Sequence, residues 1–106
     1  MSGERLLPEN PLEFIRRCVR RRDLLWTYHV NMRLAKRHIP RGSILDAVET
    51  FELIESYPDD KYLPSYLVYA QVQGSVCHVL FAADVPGHNV RVVTATGQIH
   101  RSGRPI

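Results

Sequence analysis

Near residue 51 this chain changes its hydrophobic period, and that change bounds the folds open to it. Upstream, apolar residues recur at helical spacing; downstream they alternate as half-buried strands do. Asn10-Pro11-Leu12-Glu13 is a helix start, with Asn as N-cap, Pro at the first helical position and Glu two places on. The helix is predicted from Pro11 to about Arg22, with Leu12, Ile15, Cys18 and Val19 inward and Arg16, Arg17, Arg20 and Arg21 outward. Leu24 to Tyr28 reads as a short edge strand leading into a second helix. Ile39-Pro40-Arg41-Gly42 breaks that helix, and Ser43-x-x-Asp46 caps a third, ending near Thr50 or Phe51.

Strands are then predicted at Glu52 to Tyr57, Ser65 to Gln73, Val76 to Ala83 and Val90 to Thr96. Helices followed by strands on short turns imply an α+β domain, its N-terminal helices packed on one face of a four-stranded antiparallel sheet. A Gly74-Ser75 hairpin turn pairs Gln73 with Val76, which sets Gln71 opposite His78 and Tyr69 opposite Leu80. Tyr66, Val68, Ala70 and Val72 then face the helices. Tyr69, Gln71 and His78 share the more polar face, which a ligand can approach. Pairing Ala83 with Val90 turns Thr94 to the core, whereas a one-residue shift brings it beside His78.

The 106 residues suit one domain, 1–106, with 1–9 as a mobile leader, 10–22 as an Arg-rich helix and 97–106 as a tail. Cys18 and Cys77 have no paired spacing, and no signal peptide precedes them, so they read as reduced thiols of a cytoplasmic protein. No apolar run spans a bilayer. No metal-ligand spacing occurs, and neither metal nor cofactor is expected. The net charge of +3 is unevenly placed. Residues 1–41 hold ten Lys/Arg against four Asp/Glu (+6), residues 42–62 one against six (−5), and the remainder three against one (+2). A basic first third is the footprint of an anion binder.

Within it, a helix through Tyr28-His29-Val30-Asn31-Met32-Arg33-Leu34-Ala35-Lys36-Arg37 stacks His29, Arg33, Lys36 and Arg37 on one side. Cleaving RNA without metal needs a base for the 2′-hydroxyl, an acid for the leaving oxygen and cations for the phosphate. His29 and His78 are the acid–base candidates, Arg33 the phosphate clamp and Thr94 a further donor. Lys36, Arg37, Tyr69, Gln71 and Arg91 are the candidates for holding substrate. His38, at a helix end, His88, in a Pro-Gly turn, and His100, in the tail, read as incidental.

The strings YHVNMRLAKRHIP, DAVETFELIESYPDD, YLVYAQVQGSVCHVLFA and VRVVTAT together resemble a small bacterial domain-of-unknown-function family, DUF4258. It is allied to the RelE and MqsR kind of toxin ribonuclease. The matching residues are His29, Met32, Arg33, Arg37, Ile39, Tyr57-Pro58-Asp59-Asp60, His78 and Thr94, within about Leu25 to Thr96. Pro40 arranges the helix break differently, and Thr96 stands where the family pattern has an aromatic residue. The resemblance implies a RelE-like fold, RNA as the substrate and a cognate antitoxin protein as partner. A catalytically inactive domain of the same fold, binding RNA or protein through its basic surface, is the alternative.

Overall fold

The computed structural model describes residues 6–36 and 40–97. Its elements are α1 (Pro11–Arg20), β1 (Leu24–Trp26), α2 (Tyr28–Lys36), α3 (Arg41–Asp46), a 3₁₀ turn (Val48–Thr50), then β2 (Glu52–Tyr57), β3 (Ser65–Val72), β4 (Ser75–Asp84) and β5 (Asn89–Gly97). The strands form one sheet in the order β1-β5-β4-β3-β2. The sheet therefore has five strands, not four, and is not wholly antiparallel: β1 lies parallel to β5, with Leu24 opposite Val90 and Trp26 opposite Val92. A short apolar segment after α1 finds ladder partners for one side of its backbone by joining a sheet edge, and β5 is the edge it reaches.

α1 starts as its sequence dictates, with Asn10 Oδ1 accepting the Glu13 N–H at 3.1 Å and Pro11 in the first turn. It ends two residues earlier than predicted. Arg22, at φ 64°, takes the left-handed position usually given to glycine; the Arg22 N–H reaches the Val19 carbonyl (3.1 Å) and the Asp23 N–H the Cys18 carbonyl (2.8 Å). α3 is also capped differently. Pro40 occupies the N-cap without a side-chain bond, and the Ser43 hydroxyl instead accepts from Gln73 Nε2 at 3.2 Å.

The core lies between the helices and one sheet face. Phe14, Ile15, Cys18 and Val19 of α1, Val30 and Leu34 of α2 and Ile44 of α3 pack with Tyr66, Val68, Ala70, Val72, Cys77, Val79, Phe81, Val90 and Val92. At its centre Phe51 and Phe81 meet with ring centroids 5.7 Å apart at 45°. Such a tilted pair adds about 0.5–1.5 kcal/mol beyond its area.

The β3–β4 hairpin keeps its predicted faces but not its predicted register. Its two-residue turn is Gln73-Gly74, with φ of 54° and 79°, so Val72 pairs with Ser75, Gln71 with Val76 and Tyr69 with His78. Two positive φ values define the I′ turn, whose twist matches that of the flanking strands. Because the register moved by an even number, each side chain stays on its expected face. Gln73 carries strain that Asn tolerates better. Gln73→Asn is expected to stabilise the domain by about 0.5 kcal/mol, read as a small rise in thermal midpoint.

The β4–β5 pairing settles the position of Thr94. Ala83 does pair with Val90, but the register shifts between Leu80 and Phe81, leaving Val93 as an extra residue, and Thr94 pairs with Leu80. A bulge reverses the alternation beyond it. Ala95 is therefore buried in the core, whereas Thr94 and Thr96 share the helix-free face with His78.

Candidate functional site

Thr27 caps helix α2, its Oγ1 accepting the Val30 N–H at 3.2 Å. Thr27 lies directly after the strand residue Trp26, and its N–H bonds the Val92 carbonyl at 3.4 Å, so β5 fixes where the helix starts. Val30 and Leu34 point into the core. The helical period then sends His29, Met32, Arg33 and Lys36 away from it. Among the described residues these four and Ala35 line an open cavity of about 770 Å³. Met32 is 55% exposed and Tyr28, one turn earlier, 79%. His29, Arg33 and Lys36 have no hydrogen-bond or ion-pair partner among the described residues. The result is a cationic, partly apolar concavity with, among the described residues, one imidazole and two unengaged positive groups. Chemically it can hold a phosphate, shelter a flat apolar group and move one proton.

Arg37, expected on the same face, lies outside the described residues, as do His38 and His100. The other expected residues collect on the helix-free face of the sheet. The register places Glu52, Tyr69, His78 and Thr96 in one cross-strand row, and Glu55, Leu67, Leu80 and Thr94 in the next. Neighbours in such a row are about 5 Å apart. Gln71 Nε2 donates to Tyr69 Oη at 2.8 Å, fixing the phenol, and the Thr96 hydroxyl reaches the His78 carbonyl at 3.5 Å. Arg91 shares this face but pairs with Ala82, four residues along β4 from His78, and its guanidinium lies 4.0 Å from the Asp84 carboxylate. At about 3.4 Å per residue that is more than 13 Å from the imidazole row.

The structure thus assembles two groups: His29, Arg33 and Lys36 on α2, and Tyr69, Gln71, His78 and Thr94 on the sheet. His78 is not among the described residues lining the α2 cavity, so the described lining does not bring the two acid–base candidates together.

A family model described as Domain of unknown function (DUF4258) matches residues 26–96. The chain belongs to the DUF4258 family. No curated relative and no solved structure matches it. The DUF4258 segment runs from the last residue of β1 through almost all of β5, and so contains both residue groups. Helix α1 lies outside it.

The arginines of that extra helix are largely consumed within the molecule. Arg16 was expected to face solvent; it is half-buried and donates to the Phe51 carbonyl at 2.9 Å. Arg20 binds Glu49 at 2.9 Å and approaches Glu13 at 3.8 Å, and Arg21 lies 3.6 Å from Asp23. Arg22 donates to the Val19 carbonyl at 3.0 Å. Only Arg17 of this run makes neither hydrogen bond nor ion pair among the described residues; its guanidinium lies 5.9 Å from the centre of the Phe14 ring. Charge counting in sequence made α1 the most cationic element, yet the unengaged cations at a cavity of the DUF4258 segment are on α2. Two members of the sheet row, Glu52 and Thr96, were not foreseen as site residues. Nothing short of the strand register places them beside Tyr69 and His78.

Among the described residues no helix is long and apolar enough to cross a membrane.

Proposed function

We propose that this DUF4258 domain acts on RNA from the α2 face, as the metal-independent endoribonuclease of a toxin–antitoxin pair working in the cytoplasm on a RelE-like fold. The observation that carries this reading is the cavity shared by His29, Arg33 and Lys36, none of which is engaged elsewhere among the described residues. Arg33 grips the scissile phosphate through its planar fork, with Lys36 adding a mobile charge. His29 accepts the proton of the 2′-hydroxyl as that oxygen attacks phosphorus. The bond from phosphorus to the 5′ oxygen breaks, and the imidazolium returns its proton to the departing oxygen. The products are a 2′,3′-cyclic phosphate and a 5′-hydroxyl end. Met32 and the exposed Tyr28 offer apolar surface to an unpaired base.

One observation favours a second reading, in which the domain binds RNA or a protein partner without cutting. The α2 cavity holds a single imidazole among the described residues, so one group has to serve as both base and acid. Incubating metal-free protein with a short labelled RNA separates the two. Cleavage to cyclic-phosphate ends supports the nuclease; retained, salt-sensitive binding with intact RNA supports the binding domain.

A further inference from the structure

We propose that the groove between the C-terminal turn of α1 and the β4–β5 loop is a phosphate-binding site, with Arg17, Arg21 and the ring of His88 as its donors. It involves none of the α2 residues and does not rest on the nuclease reading. The groove encloses about 320 Å³ and is lined by Phe14, Arg17, Cys18, Arg21, Asp23 and His88. A second cavity of about 410 Å³, lined also by Arg22 and Asn89, shares Asp23 and His88 as walls. His88 therefore stands between two adjoining spaces, one for a phosphate and one for whatever it is attached to.

Charge favours an anion here. Among the described residues the groove has two guanidiniums and an imidazole against one carboxylate, and Asp23 already has Arg21 at 3.6 Å. Arg17 is exposed and lies over the Phe14 ring, which leaves its N–H groups free to donate. The end of a helix ordinarily repels anions. Here the last carbonyls of α1 are already occupied: Cys18 and Val19 by the N–H groups of Asp23 and Arg22, and Val19 and Arg20 also by the Arg22 guanidinium, at 3.0 and 3.5 Å.

The position of His88 is built rather than incidental. Its φ of 55° is a conformation that Gly or Asn adopts at lower cost, and its carbonyl accepts the Cys18 thiol at 3.7 Å. Burial, assisted by the Asp23 carboxylate, pushes the Cys18 thiol up from its usual range, so it keeps the proton that this contact uses. The loop is thereby tied to α1, with His88 lining both spaces.

Phosphate in such a site comes either as the free ion or as a diester of an RNA backbone, and an NMR titration of the full chain distinguishes them. Inorganic phosphate, with sodium chloride at matched ionic strength as reference, should produce saturable shifts at the His88 ring and the Arg17 and Arg21 side chains. His78, on the helix-free sheet face, should move far less. Saturation by phosphate and by a dinucleoside monophosphate assigns the site to an RNA backbone; saturation by phosphate alone assigns it to the free ion. Saturation by neither overturns the proposal, as do shifts of equal size at His88 and His78. Arg17→Ala should weaken binding about tenfold, the loss expected for one charge-assisted contact. His88→Asn, which tolerates the left-handed backbone, should keep the thermal midpoint and weaken phosphate binding. Unchanged affinity in both variants refutes the assignment.

Discussion

A chain lacking residues 1–22 is expected to lose cooperative unfolding, although the family match begins only at residue 26. α1 is outside the DUF4258 segment but inside the core: Phe14, Ile15, Cys18 and Val19 are each at most 7% exposed. They cover the sheet beneath Val90 and Val92, and the helix also binds the Phe51 carbonyl through Arg16 and the His88 carbonyl through Cys18. Burying one large aliphatic or aromatic side chain is worth about 1.5–3 kcal/mol. Several lost together match the whole stability of a small domain, roughly 5–15 kcal/mol. Ile15→Ala alone should cost about 2–5 kcal/mol, because the site it empties is closed on every side. Thermal and denaturant melts followed by circular dichroism decide the matter. A truncated protein melting at the wild-type midpoint would show that α1 is an ornament on a self-sufficient segment.

His29→Ala is expected to lower the single-turnover rate of RNA cleavage by about 10²–10⁴-fold, the range for losing a positioned general base. The substitution should leave the fold intact, since the ring is exposed and has no hydrogen-bond partner among the described residues. An unchanged melting curve would make the rate loss chemical rather than structural. His78→Ala is the comparison. The nuclease reading on α2 alone predicts a much smaller effect from it, because that imidazole is absent from the described lining of the cavity. Equal losses from both would mean that the two rings act together after all. A His29→Ala protein that cuts at the wild-type rate would remove the base from the proposal.

How far the residues foretold this arrangement depended on the kind of signal. The alternation from Tyr66 to Val72 set which side chains enter the core, because a period of two survives any even shift in register. The Gln73-Gly74 turn moved the hairpin in that way, so Tyr69 and His78 became direct partners with no side chain changing face. Thr94 was undecidable because its face depends on one extra residue. The bulge at Val93 arises from β4 and β5 fitting together, and local spacing carries no trace of it. The place of β1 was hidden for the same reason: three residues state that a strand exists but not which edge it joins or in which direction. Arg16 and Arg20 show the limit of charge counting. Their partners, the Phe51 carbonyl and Glu49, lie 35 and 29 residues away, so their engagement appears only in three dimensions. The cationic side of α2, by contrast, was readable because neighbours three and four residues apart need only the helix itself.

If Arg33 and Lys36 hold RNA phosphates, the salt dependence of RNA affinity must carry their signature. For a single strand each phosphate neutralised contributes about 0.7 to the slope of log affinity against log salt. Arg33→Ala/Lys36→Ala should therefore bind a short unstructured RNA more weakly and with a slope shallower by about 1.4, at an unchanged melting temperature. A folded double variant with the wild-type affinity and the wild-type slope would contradict the account.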